Sequence, residues 1–231
     1  MKRFYNRAHA EQQEGGYGIA LDGRSVKTPG KRHLIVPNEA LAMAIAGEWD
    51  AQESEIRPAT MPLTRLATTT ADRVATQREA IVQQTAQYAA TDLVCYRATH
   101  PPALAARQHA IWQPLIDWAE LRYDASLTVT TGVIPRSQSA TSLRALTAAV
   151  AELDDFTLTA LRAATAASGS LVVALALLEG RLDAQDAFAA SQLDESFQIE
   201  AWGEDAEQAE RRRALAADID AAVRFVSLLR A

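Results

Sequence analysis

The apolar positions of this chain alternate at first and then fall into a helical rhythm. Tyr17, Ile19 and Leu21 stand two apart between small residues, the period of a strand with one buried face. They run into Asp22-Gly23, a dipeptide suited to the left-handed backbone of a tight hairpin. Ser25 to Thr28 returns, Pro29-Gly30 turns the chain again, and Arg32 to Val36 makes another strand, with Phe4 and Tyr5 starting the sheet. Pro37-Asn38-Glu39 then opens a helix capped by Asn38, on which Leu41, Ile45 and Trp49 share one stripe. Such a stripe covers a meander too small to stand alone.

Beyond Arg57-Pro58 the rhythm is helical. Thr60 reads as a cap and Pro62 as a first-turn proline before Leu63, Leu66 and an alanine- and glutamine-rich run to about Tyr88. Pro101-Pro102 starts a further helix carrying Leu104, Ile111, Leu115 and Trp118, and Pro114 inside it predicts a kink or break. Leu127 to Ile134, rich in threonine and β-branched residues, reads as a strand. It either stands alone among helices or returns to the N-terminal sheet. From Ser139 onward the chain is helical. The segment Gly169–Glu179 is apolar on nearly every side and predicts a buried central helix, and Asp183 with Asp186 marks a helix start. The fold class that follows is α+β: a small N-terminal antiparallel sheet with a helix, then a larger all-helical orthogonal bundle. The domains divide at 1–58 and 59–231.

Composition narrows the function. The chain has 231 residues with a net charge of -6, so it lacks the basic balance usual for nucleic-acid partners. The longest apolar stretch, Leu171 to Leu178, is too short to span a bilayer, and the N-terminus has no apolar leader. A cytoplasmic location is expected. Cys95 is the only cysteine and reads as a small buried side chain. No phosphate-cradling loop, zinc-ligand spacing or nucleophile elbow occurs, so no metal, cofactor or small-molecule substrate is expected. Gly15-Gly16-Tyr17-Gly18 is dense in glycine but leads into a strand rather than a helix.

Three polar constellations remain. The hairpin from Leu21 to Pro29 presents the cations Arg24 and Lys27. Glu48-Trp49-Asp50 ends the first helix, with Trp49 in the core and both acids solvated; the competing enzymatic reading makes these acids a hydrolase-like site in an interdomain cleft. The third runs from Leu193 to Asp205, where Asp194, Glu195, Gln198, Glu204 and Asp205 flank Phe197, Ile199 and Trp202. A helix through Trp202 puts Asp194, Gln198 and Ala201 on one face. A carboxylate beside an indole can anchor a protein partner; the alternative is a helix end with solvated acids.

Arg3-Phe4-Tyr5, LDGRSVKTP, EWDAQ, PATMPLTRLA with Asp72-Arg73, TDLVCYRA, Arg107-Gln108, GSLVVALA and LDESFQIEAWGED resemble, in this order, the F-type ATPase assembly factor family, the alpha-subunit chaperones of mitochondria and related bacteria. The resemblance spans nearly the whole chain and points to the bacterial branch, with the mitochondrial matrix as the location of organellar relatives. It implies a two-domain chaperone without catalysis that binds the unassembled ATP synthase alpha subunit. It also implies an essential acid within the last block, with Glu195, Glu204 and Asp205 as candidates. At Ala206 many members carry a further acid.

Overall fold

The computed structural model describes residues 1–132 and 136–231. They form two compact units. The first comprises Met1–Arg78, Asp155–Ala160 and Arg224–Ala231, and the second Glu79–Asp154 and Leu161–Val223.

The first unit is built on an antiparallel sheet of β1 (Ala8–Gln13), β2 (Gly16–Leu21), β3 (Arg24–Ser25) and β4 (Ile35–Val36). β2 is its centre: it pairs with β1 from Ala8↔Leu21 to Gln13↔Gly16, with β3 through Leu21↔Arg24, and with β4 through Tyr17↔Val36. The hairpin at Asp22-Gly23 forms as its residue types demand, with φ of 48° and 80°. The longest partner of β2 carries no apolar alternation. β1 reads Ala-His-Ala-Glu-Gln-Gln and occupies an edge, where polar side chains discourage pairing with other molecules. Phe4 and Tyr5 lie outside the strands. Tyr5 is buried, with its hydroxyl donating to the Trp49 carbonyl at 2.7 Å, whereas Phe4 is exposed.

α1 (Glu39–Asp50) begins at Asn38, whose side chain accepts from the Leu41 amide at 3.0 Å, and it buries Leu41 and Ile45 completely. Burying one such side chain is worth about 1.5–3 kcal/mol. Trp49 is only half-buried and Glu48 is buried, the reverse of their expected places. The cause lies in the next helix, α2 (Pro62–Thr69), whose first turn has no side-chain cap of its own; Met61, not Thr60, sits at the cap position. Glu48 supplies the missing acceptors, taking the Leu63 and Thr64 amides and the Thr64 hydroxyl, each at 2.7 Å. A π-helical turn, Thr70–Val74, follows. It carries Asp72, which accepts from the Thr28 hydroxyl and the Gly30 amide, both at 2.7 Å, and so holds the turn after β3. α3 (Ala75–Ala86) starts in this unit, and the first turns of α6 (Asp155–Ser168) and the end of α10 (Ala206–Leu229) complete it, with Phe156 stacked on Phe225.

The second unit holds the rest of α3, α4 (Pro102–Tyr123), α5 (Ala140–Ala151), the rest of α6, α7 (Leu171–Leu178), α8 (Ala184–Ser191), α9 (Leu193–Trp202) and most of α10. Every residue of α7 is buried. Ser170 caps it by accepting from Val173, and Asp183 caps α8 by accepting from Asp186 at 2.7 Å. Trp112, almost fully buried on α4, donates its indole N–H to the Ala190 carbonyl at 2.8 Å.

Two expectations fail here. α4 continues through Pro114 without a break. Pro114 is on the exposed side, so the carbonyl that loses its helical partner can turn to water. Of the expected strand at 127–134, the described residues form β6 (Thr130–Thr131), which pairs in parallel with β5 (Tyr96–Arg97) rather than with the N-terminal sheet, so this unit is not wholly helical. Val133 and Ile134 lie outside the described residues. Compactness also places α2 with the sheet, past the expected boundary at residue 58.

Candidate functional site

The block from Leu193 to Asp205 folds as α9, a sharp turn and the start of α10. Leu193 is buried and fastens one end of α9. At the other end the helix stops at Gly203, whose φ of 83° suits glycine and whose amide closes the last turn on the Ile199 carbonyl at 2.8 Å. Asp205 then caps α10, its carboxylate accepting from the Gln208 amide at 2.8 Å. Arg212, two turns further along α10, reaches back to Glu204 at 3.2 Å and to the Ser196 hydroxyl at 3.0 Å. The turn is therefore held from both sides.

Trp202 stands on this turn 81% exposed. It is neither core nor packed beneath a neighbouring side chain, so its indole is left as bare apolar surface on an ordered support. The surrounding acids divide by role. Asp194 points inward and accepts from the buried Gln108 amide at 2.7 Å; burial pushes its carboxyl up, against the opposing hydrogen bond from Gln108. Glu204 and Asp205 are exposed but engaged, by Arg212 and by the Gln208 amide respectively. Glu195 is half-buried, and among the described residues no cation pairs with it. Gln198 is exposed on the outer side of α9. Beyond the turn, Asp205, Glu207, Gln208, Glu210 and Arg211 line a broad groove of about 710 Å³.

Three contributors were not among the sequence candidates. Arg107 on α4 lies 5.2 Å from the centre of the Phe197 ring and pairs with Glu200 at 2.7 Å; that hydrogen bond holds the Glu200 carboxyl below its usual range. Arg212 stands within the run Arg211-Arg212-Arg213, which looks like ordinary solvated surface in the sequence. Gln108, like Arg107, stands in a block that carries the resemblance, but no spacing links it to Asp194, its partner on another helix. Arg24 and Lys27, the remaining candidates, belong to the first unit, where both are exposed beside the hairpin.

The rival acids have structural work. Glu48 is spent on the start of α2, while Asp50 accepts from the Ala8 amide at 3.2 Å and pairs with Arg3 at 3.4 Å. Cys95 is buried, and desolvation pushes its thiol up to about 12, which makes it unreactive. Among the described residues no group of three or more histidine, cysteine, aspartate or glutamate side chains is placed to hold a metal ion, and no helix is long and apolar enough to cross a membrane.

Several known proteins share this architecture. The Atp12 structure from Paracoccus denitrificans is 43% identical, superposes with a TM-score of 0.93, and the match covers 99% of this chain and 98% of that one. The same protein has been solved as an aspartate-to-lysine mutant, with the same identity and TM-score. A structure from Agrobacterium tumefaciens is 37% identical with a TM-score of 0.94, covering 99% of this chain and 86% of its own. The mitochondrial protein atp12 of Schizosaccharomyces pombe is 26% identical over 214 residues, which is 87% of this chain and 74% of the fungal one. Residues 2–120 match the family described as ATP12 chaperone protein. With that match over half its length and its whole fold shared with Atp12, the chain belongs to the ATP12 chaperone family.

Proposed function

We propose that this chain holds the unassembled alpha subunit of ATP synthase, with the α9–α10 turn as its docking surface, and surrenders it when the proper neighbour arrives. Membership in the ATP12 chaperone family supports the coarser part, a chaperone acting in ATP synthase assembly, and brings no expectation of catalysis. The finer part is carried by one observation: Trp202 is 81% exposed on a turn already ordered by Gly203, Asp205 and Arg212. A large aromatic on a rigid support gives contact area at little entropic cost, the usual quality of an interface anchor.

A subunit awaiting its neighbours exposes apolar surface that would otherwise aggregate. An anchor ringed by carboxylates covers part of such a surface and steers a cationic rim toward it, while exchange stays easy because much of the contact is polar. Glu195, Glu204 and Asp205 supply that ring. The location expected for such a protein here is the cytoplasm, where the head is assembled in bacteria.

Co-purification with separately expressed alpha and beta subunits tests the partner, and capture of alpha alone is the expected result. Capture of beta alone, or of neither, would overturn it. Glu195→Lys tests the site: the folded variant should lose capture, and undiminished capture by this variant and by the lysine variants of Glu204 and Asp205 would move the docking surface elsewhere.

A further inference from the structure

α4 carries more apolar surface than its own unit covers. Its inward face is spent, with Leu104, Trp112, Leu115, Ile116 and Ala119 all buried. Ile111, Pro114, Trp118 and Leu121 recur at i, i+3, i+7 and i+10, so they form a second stripe on another side of the helix. That stripe stays open to solvent. Ile111 is 41% and Leu121 88% exposed, Pro114 is exposed and Trp118 is half-buried. Among the described residues, Leu121 and Trp202 are the two most exposed of the large apolar side chains. A single bare leucine needs no explanation, but four apolar residues in line over about 15 Å of helix do. Their support is ordered: Trp118 meets Tyr123 edge-on at 5.5 Å, and Tyr123 donates its hydroxyl to Glu179 at 2.7 Å.

The charges beside the stripe indicate what covers it. Its cations are already met, Arg107 by Glu200 at 2.7 Å and Arg122 by Glu179 at 2.9 Å. Asp117 and Glu120 on its other side are exposed, and among the described residues no cation pairs with either. What is left unmatched is apolar surface bordered by negative charge, which suits an apolar segment flanked by lysine or arginine. A second copy of this chain offers the same face, with the same acidic border and its cations already paired, so it lacks the matching charge. The stripe also runs on from the α9–α10 site. Arg107 stands one turn before Ile111 on the same side of α4, and it reaches Phe197 and Glu200 of α9, the helix that ends at Trp202. We propose that the outer stripe of α4 is a second docking face for the alpha subunit, engaging an apolar, cation-flanked segment of it. This rests on the reading of Trp202 as an anchor and widens that anchor to a surface along α4.

Affinity for the alpha subunit, measured on the full chain with wild type alongside, tests the proposal. Leu121→Gln keeps a good helix former at an exposed position, so the melting temperature should hold while affinity falls roughly tenfold. Leu121→Met, which stays apolar, should bind like wild type. Asp117→Lys combined with Glu120→Lys should weaken binding about threefold at low salt, and the deficit should shrink as salt rises. Undiminished binding by Leu121→Gln would overturn the proposal and leave Trp202 standing. Dimerisation of the free chain that Leu121→Gln abolishes would give the face to a second copy and overturn it as well. A wild-type chain that binds no alpha subunit would instead bring down the Trp202 reading together with this one, so the two failures are told apart.

Discussion

Among the helix starts of the second unit that a carboxylate caps, α7 and α10 are built for opposite ends. At α7 the carboxylate comes from Asp92, which has no solvent exposure; it accepts from the Ser170 hydroxyl at 2.5 Å, the Val172 amide at 3.1 Å and the Val94 amide at 3.2 Å. At α10 it comes from Asp205, exposed, with a bare tryptophan three positions before it. The same local chemistry of a carboxylate on free amide groups serves a core in one case and a surface in the other. Around Asp92 every neighbour is committed, so a change there is felt by the fold. Around Asp205 the apolar surface is unspent, so a change nearby is felt by whatever binds.

The sharpest way to break this contrast is at Asp92. Asp92→Asn keeps the shape but turns an amide toward backbone N–H groups, leaving at least one of them buried and unpaired. The expected loss is about 3 kcal/mol, read from the urea midpoint. Asp92 also carries a pH signature. Burial outweighs its hydrogen bonds and pushes its carboxyl from 3.8 up to about 6. The folded state then holds this proton more tightly than the unfolded chain does. Asp92 therefore contributes stability that is complete below about pH 4 and is lost as pH rises through about 6. Asp22 and Glu200, whose carboxyls are held low, act in the opposite sense. The difference between wild type and Asp92→Asn across that window isolates the effect. A difference that stays flat from pH 4 to 7 would show that the hydrogen bonds, not burial, set the state of this acid.

Glu48 extends the contrast to the first unit. Both its oxygens receive backbone amides of α2, so Glu48→Gln should cost about 2 kcal/mol of folding stability, again by denaturant. A neutral result would return this acid to the list of candidates for chemistry. Trp202→Ala should behave the other way: about 2 kcal/mol or more lost from alpha-subunit affinity, with folding stability changed by no more than about 0.5 kcal/mol. Loss of both together would mean that the indole packs in solution.

What was legible in the sequence was local. Asn38 and Asp183 cap where their residue types say they should, the Asp22-Gly23 hairpin closes as written, and the all-apolar α7 is buried along its length. What was missed depends on partners distant along the chain. β1 has no strand pattern because its register comes from β2. Glu48 looks like solvated trim until α2 folds against it. The exposure of Trp202 depends on where α9 ends, and the spacing of acids around it suits an anchor and a core residue equally well. Of the site candidates, Asp194 turned inward to Gln108, a partner on α4 that no spacing could suggest.

The smallest expected effect tests the division of labour within the turn itself. Asp205→Ala removes one cap from α10, a loss of about 1 kcal/mol, and a helix of 24 residues tied elsewhere by Arg212 should absorb it. Loss of the cap also frees the turn that carries Trp202, so the anchor must be ordered at the moment of binding and part of its advantage disappears. Alpha-subunit capture should then weaken by more than the lost carboxylate charge explains. Asp205→Asn keeps the cap and removes only the charge, because asparagine caps as well as aspartate. If the asparagine variant captures like wild type and the alanine variant does not, Asp205 serves the interface by holding Trp202 in place. Equal loss in both would assign its role to charge, and the comparison between the two caps would need redrawing on that side.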